Sequence, residues 1–276
     1  MQFVRYAEYS PKQYQRRGIT MLLDYQKEDR VAIFTLNRPD ALNAISRELY
    51  EELSAALIDF RDDDELLVGI ITGAGNRAFS VGADIEGFLP LMKQSREQPW
   101  QEPPTIMRGM ELTKPMIAAI NGAALGGGLE LALACDLRIA SEKAIFGFPE
   151  VTLGIIPGWG GTQRLPRVIT QAKASEMLLT GKPIGAGEAY RIGLINSVVP
   201  PGEVLVSAKK MARALCQPAP LAVRAAKQAI IQALNTPLAE GLAFEKSLND
   251  FLTTTKDFDE GRNAHLEKRK PDFRMR

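Results

Sequence analysis

The sequence predicts an α/β body followed by a helical C-terminal region, and three observations carry that prediction. Strand-like apolar runs alternate with amphipathic helical patterns as far as residue 200. Pro200-Pro201-Gly202 then breaks the pattern, and every periodic segment beyond it has the helical spacing. Length fits as well: 276 residues suffice to bury a sizeable core in one large domain or two ordinary ones. The boundary near 200 divides an α/β core, residues 1–200, from a helical region, residues 201–276.

Regular structure starts near Met21. Leu22–Gln26 and Val31–Leu36 flank the turn-forming Lys27-Glu28-Asp29-Arg30 and form a hairpin. Ser46 is placed to cap a helix whose apolar face carries Leu49, Leu53, Leu57 and Phe60 and which ends at Arg61. The acidic run from Asp62 to Glu65 is a solvated loop leading into a buried strand, Leu66–Thr72. A second buried strand follows at Met116–Asn121, a helix at Gly126–Ala134 and a strand at Leu137–Ala140. Beyond 200, helices are expected at Glu203–Cys216, Pro220–Leu234, Pro237–Leu252 and Asp257–Lys268. Between Phe88 and Pro104 four prolines dissolve the pattern, as in a long loop or broken helix that covers a substrate.

Composition excludes several functions. With 34 basic and 33 acidic residues the net charge is +1, too little surplus for a nucleic-acid binder. The two cysteines, Cys135 and Cys216, lack the spacing of a disulfide framework or a zinc site and suit a reducing compartment. A single histidine, His265, argues against a histidine-rich metal site, so no metal is expected, and His265 itself suits the surface better than a catalytic role. The most apolar stretch, Met116–Cys135, is interrupted by Asn121, glycines and Glu130, so no membrane span is expected. The N-terminal residues lack the apolar core of a secretory signal. Their arginines resemble an organellar presequence, but Glu8 and a single serine count against one, so the cytoplasm is favoured over the mitochondrial matrix.

Two glycine clusters invite chemistry. Gly73-Ala74-Gly75-Asn76-Arg77-Ala78 follows a strand and matches the dinucleotide fingerprint on paper, but the residues after it make a poor helix. Gly126-Gly127-Gly128 precedes a helix that carries Glu130 in its first turn between apolar neighbours. Three glycines can leave helix N-terminal amides open to an oxygen that gains negative charge, or can simply allow close strand–helix packing. Burial of Glu130 would raise its pKa into the range useful for proton transfer; alternatively it caps its helix or reaches solvent. Glu150, between Phe146-Gly147-Phe148-Pro149 and another apolar run, offers the same choice between a buried acid and a surface loop carboxylate. Together they suggest an acid/base pair, although spacing alone does not bring them into contact.

Four strings in order identify a resemblance. They are Asn37–Ala44, Phe79–Ile85, Gly126–Leu131 with Glu130, and Ile156–Leu165, and together they resemble the enoyl-CoA hydratase (crotonase) family from about Leu22 to Phe273. The resemblance implies a spiral of ββα units with a C-terminal helical region that serves oligomerisation and covers the pocket. It implies acyl-CoA thioester substrates, no cofactor beyond the coenzyme A of the substrate, and a homotrimer or homohexamer. It assigns the amides of Ala83 and Gly127 to an oxyanion hole, Glu130 to water activation and Glu150 to protonation of the α-carbon. Retention of both glutamates favours hydration of trans-2-enoyl-CoA to 3-hydroxyacyl-CoA. A related isomerase, a hydratase of cyclic or aromatic-pathway enoyl-CoA, and a non-catalytic acyl-CoA- or RNA-binding member are the alternatives. Asp84, Ile85, Trp159 and Lys268 join Ala83 and Gly127 as substrate-binding positions, with Lys268 directed to the nucleotide part of CoA. Two departures stand out: Glu86 replaces a lysine common in hydratases, and Trp159 fills a position that is often small, which would narrow the acyl pocket.

Overall fold

The structure, a computed structural model, describes residues 21–85, 87 and 103–276. Glu86 and nearly all of the Phe88–Pro104 loop expectation lie outside the described residues.

Two sheets build the body. The larger has six strands in the order β1 (Leu23–Glu28), β2 (Val31–Leu36), β3 (Val68–Gly73), β5 (Met116–Ile120), β7 (Leu137–Ser141) and β10 (Ser197–Val199). Only the β1–β2 hairpin is antiparallel; the other pairings are parallel. The smaller sheet has β4 (Ala78–Ser80), β6 (Ala123–Leu125), β8 (Ile145–Gly147) and β9 (Ile184–Gly185), with the first three parallel. The chain therefore visits the sheets alternately, β3 then β4, β5 then β6, β7 then β8. That alternation makes the ββα spiral implied by the resemblance.

Strands β3 and β5 are buried at every position, which explains why they read as unbroken apolar runs rather than alternating ones. Alternate residues enter different cores. Ile71, Met116, Ala118 and Ile120 face the core shared with the small sheet and the first two helices, α1 (Arg47–Asp62) and α2 (Gly127–Ala134). Val68, Ile70, Ile117 and Ala119 face the opposite side. There α6 (Val204–Leu215) lies on the sheet, burying Val204, Ala208 and Ala212. Helix α1 starts as expected: the Ser46 hydroxyl accepts from the Leu49 N–H at 3.3 Å.

Between β8 and β10 come three helices, α3 (Gly161–Val168), α4 (Gln171–Thr180) and α5 (Ala186–Arg191). After α6 the chain forms α7 (Pro220–Ala233), α8 (Leu238–Leu252) and α9 (Lys256–Leu266), close to the ranges expected from the sequence. Among the described residues no helix is long and apolar enough to cross a membrane. The glycines from 73 to 75 lead into strand β4, not a helix, so the dinucleotide fingerprint lacks its structural partner.

Candidate active site

Three strands of the small sheet run in parallel, and the residues just past their C-terminal ends meet. Ala83 follows β4, Gly127 follows β6, and Glu150 follows β8. The hydrogen bonds of the β4 exit are fixed by a buried asparagine. Asn43, fully buried, donates through Nδ2 to the carbonyls of Ala74 (3.0 Å) and Ala78 (2.9 Å) and accepts the Arg38 N–H at 3.0 Å. Its own carbonyl accepts from the Ser80 hydroxyl at 2.8 Å, and that hydroxyl accepts the Gly82 N–H at 3.2 Å. Ile45 bridges across Ala83, its N–H donating to the Gly82 carbonyl and its carbonyl accepting from Asp84. Among the described residues no group accepts the N–H of Ala83 or of Gly127.

The glycines of the second cluster pack strand against helix, as one of the two readings of the sequence allowed. Gly128 is a packing glycine, because a Cβ there would stand 2.0 Å from the Ser80 carbonyl oxygen. Gly126, at φ +53° and ψ −127°, holds a conformation that other residues avoid, and its N–H donates to the Gly147 carbonyl at 2.9 Å. Gly127 then opens α2 with its nitrogen close to Gly82: a Cβ on Gly82 would stand 2.6 Å from it. The two unpaired amides thus belong to segments in close backbone approach, one of them at a helix N-terminus.

Glu130 neither caps its helix nor reaches solvent. It is 2% exposed, and its Oε1 accepts the N–H groups of Trp159 and Gly161, both at 2.7 Å. Burial raises its pKa, while the two amides and the Arg164 guanidinium work in the other direction. Glu150 is also buried, in the short 3-10 turn Pro149–Leu153. Its Oε1 lies against Gly126, where a Cβ would approach to 3.1 Å, and its buried Oε2 has no hydrogen-bond partner among the described residues. Burial and the nearby Glu130 charge push its pKa up to about 7. The two carboxyl groups therefore differ in kind: one is gripped by donors that favour the anion, the other has an orphan oxygen that favours the acid.

Trp159 is 4% exposed and lies beside the first glycine of α2; a Cβ on Gly127 would meet its ring at 2.4 Å. Its ring centroid is 5.7 Å from that of Tyr50. Asp84 sits at the β4 exit with its carboxylate paired to Arg38 at 2.9 Å, and Ile85 beside it is 60% exposed. Lys268 lies just beyond α9, its N–H donating to the His265 carbonyl, and the structure joins it to none of the groups above. His265 is exposed on α9. Arg164 was not legible as a site residue: its Nη1 donates to the Trp159 carbonyl at 2.8 Å and its Nη2 to the Met107 carbonyl at 2.9 Å. A cleft of about 450 Å³ lies elsewhere, between the β1–β2 turn and α6, and none of the site residues lines it. Among the described residues no group of three His, Cys, Asp or Glu is arranged to hold a metal ion.

This geometry has known relatives. The profile of the enoyl-CoA hydratase/isomerase family matches residues 26–276. A short-chain-enoyl-CoA hydratase of Clostridium acetobutylicum is 42% identical over 246 residues, 89% of this chain and 94% of its own length. An (E)-benzylidenesuccinyl-CoA hydratase of Thauera aromatica is 41% identical over 254 residues, 92% of this chain and 99% of the relative. The crystal structure of an enoyl-CoA hydratase from Bacillus anthracis superposes with a TM-score of 0.86 at 39% identity, covering 93% of this chain and all of that one. The chain belongs to the enoyl-CoA hydratase/isomerase, or crotonase, family.

Proposed function

We propose that the protein adds water across the double bond of trans-2-enoyl-CoA thioesters to give 3-hydroxyacyl-CoA. The observation that carries this reading is the pair of buried glutamates in unlike settings beside two open amides. Hydration needs a base for the water proton, an acid for the α-carbon and a place for the charge between them. Glu130, ionised, removes a proton as the water oxygen bonds to C3. The π electrons move through C2 and the carbonyl carbon onto the thioester oxygen, which the Ala83 and Gly127 amides receive as an enolate. Glu150, protonated near neutrality, then supplies the proton that forms the C2–H bond. Each aimed amide contributes about 10²–10³ in rate, and a positioned proton donor or acceptor about 10²–10⁴. As proposed, the reaction draws on nothing beyond the protein and the coenzyme A of its substrate.

Crotonyl-CoA, followed by loss of its conjugated thioester absorbance, tests the proposal. Wild-type turnover is expected, with Glu130→Gln and Glu150→Gln each lowering kcat by about 10²–10⁴. No turnover on short, medium or cyclic enoyl-CoAs would overturn it and leave the isomerase or the non-catalytic acyl-CoA-binding alternative. The Thauera relative, named for an aryl substrate, is the reason to include aromatic enoyl-CoAs in the panel. The bacterial relatives support a cytoplasmic setting, and the apolar outer faces of α7 and α8 support assembly into trimers or hexamers.

A further inference from the structure

Arg164 lies in the first turn of α3 and reaches back across the turn that precedes it. Its Nη1 donates to the Trp159 carbonyl at 2.8 Å, and its Nη2 donates to the Met107 carbonyl at 2.9 Å and the Ile106 carbonyl at 3.4 Å. The guanidinium packs so closely over Gly160 that a Cβ there would stand 2.2 Å from Nη1, and Gly160 itself holds φ +105°. The peptide groups of this turn point two ways. The N–H groups of Trp159 and Gly161 converge on Glu130 Oε1, while the Trp159 carbonyl points to the arginine. One planar cation thus fixes the turn from behind and ties it to the buried Ile106–Met107 segment.

We infer that Arg164 is a positioning residue for the hydration reaction: it holds the 158–161 turn with both amides on Glu130 Oε1, so that Oε2 is left to meet the water. The inference rests on the proposed role of Glu130. Arg164 makes no hydrogen bond to the glutamate; it acts through the turn and, at longer range, through its charge. Among the described residues, the charged groups on the elements packed around Glu130 are these. Strands β4 and β6 carry no charged residue, α3 carries Arg164 and Arg167, and the 3-10 turn carries Glu150. Loss of Arg164 removes the charge that favours the carboxylate and loosens the two amides that do the same. Both changes favour the protonated form, so the sign is unambiguous.

The test compares Arg164→Gln and Arg164→Lys with the wild type in two measurements. The first is a ¹³C-NMR titration of carboxyl-labelled glutamate, with the Glu130 signal identified by its absence in Glu130→Gln. The second is the pH profile of kcat and KM on crotonyl-CoA. In Arg164→Gln the Glu130 midpoint is expected to rise and the acid limb of kcat/KM to move with it. The kcat should fall about 10²-fold while KM changes less than about threefold, as for a misplaced base. Lysine keeps the charge but cannot span the carbonyls of Trp159 and Met107, so Arg164→Lys should restore much of the midpoint and little of kcat. A Glu130 midpoint unmoved in Arg164→Gln, or a loss of thermal stability with a wild-type pH profile and kcat, would overturn the inference. If the midpoint moves while the wild type hydrates no enoyl-CoA, the hold of Arg164 on Glu130 stands, and the hydratase reading falls together with the role in hydration.

Discussion

At the scale of single residues, the two glutamates are told apart by what touches them. Glu130 has two amide donors on one oxygen, and Glu150 has an oxygen with none. The unequal settings predict a pH-dependent stability. In the folded protein the Glu150 pKa is about 7 against 4.5 for the free side chain. Between those values the folded state holds a proton that the unfolded chain has released, so stability falls as pH rises through the window. Glu150→Gln removes the titration. Its unfolding free energy relative to wild type should improve by about 2–3 kcal/mol between pH 5 and pH 8, read from denaturant titrations at each pH. A constant difference would show that Glu150 ionises freely in the fold. Trp159, packed against Gly127 and Tyr50, predicts a second outcome. Trp159→Ala opens space beside Gly127 and, in the proposed site, should shift the preferred acyl length upward, as seen in kcat/KM across C4 to C10 enoyl-CoAs. An unchanged profile would remove Trp159 from specificity. Both glutamates stood out in the sequence as acids amid apolar neighbours, and their burial decides between the alternatives that the sequence left open. Asn43 and Arg164 did not stand out, since polar residues in polar strings reveal nothing of carbonyls that meet them only after folding.

At the scale of elements, legibility followed length and period. The helix α1 declared itself through its cap and four apolar positions, and β3 and β5 through runs buried on both faces. The strands of the small sheet did not. With only three residues each, β4, β6 and β8 are too short for any alternation to register, yet they lead into the candidate site. Helices α3, α4 and α5 also lay in a stretch for which the sequence offered motifs but no clear period. The join between β4 and α2 supplies the test at this scale. Gly128 lets the helix touch the Ser80 carbonyl, and a methyl group there has backbone, not a movable side chain, in its path. Gly128→Ala should cost about 1–3 kcal/mol in chemical denaturation and lower kcat by pushing α2 away from β4. Wild-type stability in that variant would mean that the strand and helix can part without consequence.

At the scale of the whole molecule, the last helices are unfinished business for a single chain. Helix α8 buries none of its residues, and Ile230, Leu238, Phe251 and Leu266 are between 58% and 78% exposed. Apolar side chains gathered on neighbouring helices mark an interaction surface more often than a solvated one. We expect sedimentation velocity at micromolar concentration to give the mass of a trimer or hexamer, and Leu238→Glu with Leu242→Glu to shift it downward. A monomer in the wild type would refute the assembly.

The small sheet also acts as a ruler. Because Ala83, Gly127 and Glu150 each follow the end of a neighbouring parallel strand by two or three residues, the sheet, with its strands about 4.8 Å apart, brings their segments side by side. Substitution at Ala83 or Glu150 leaves that spacing as it is, whereas Gly127 has no room for a side chain, because a Cβ there would stand 2.4 Å from the Trp159 ring. Slipping one strand by one residue, in contrast, would carry its group about 3.3 Å along the strand and out of line with the others. Exchange of residues past the strand ends therefore leaves this frame in place, while an insertion or deletion in β6 or β8, which pair in regular register, would shift it.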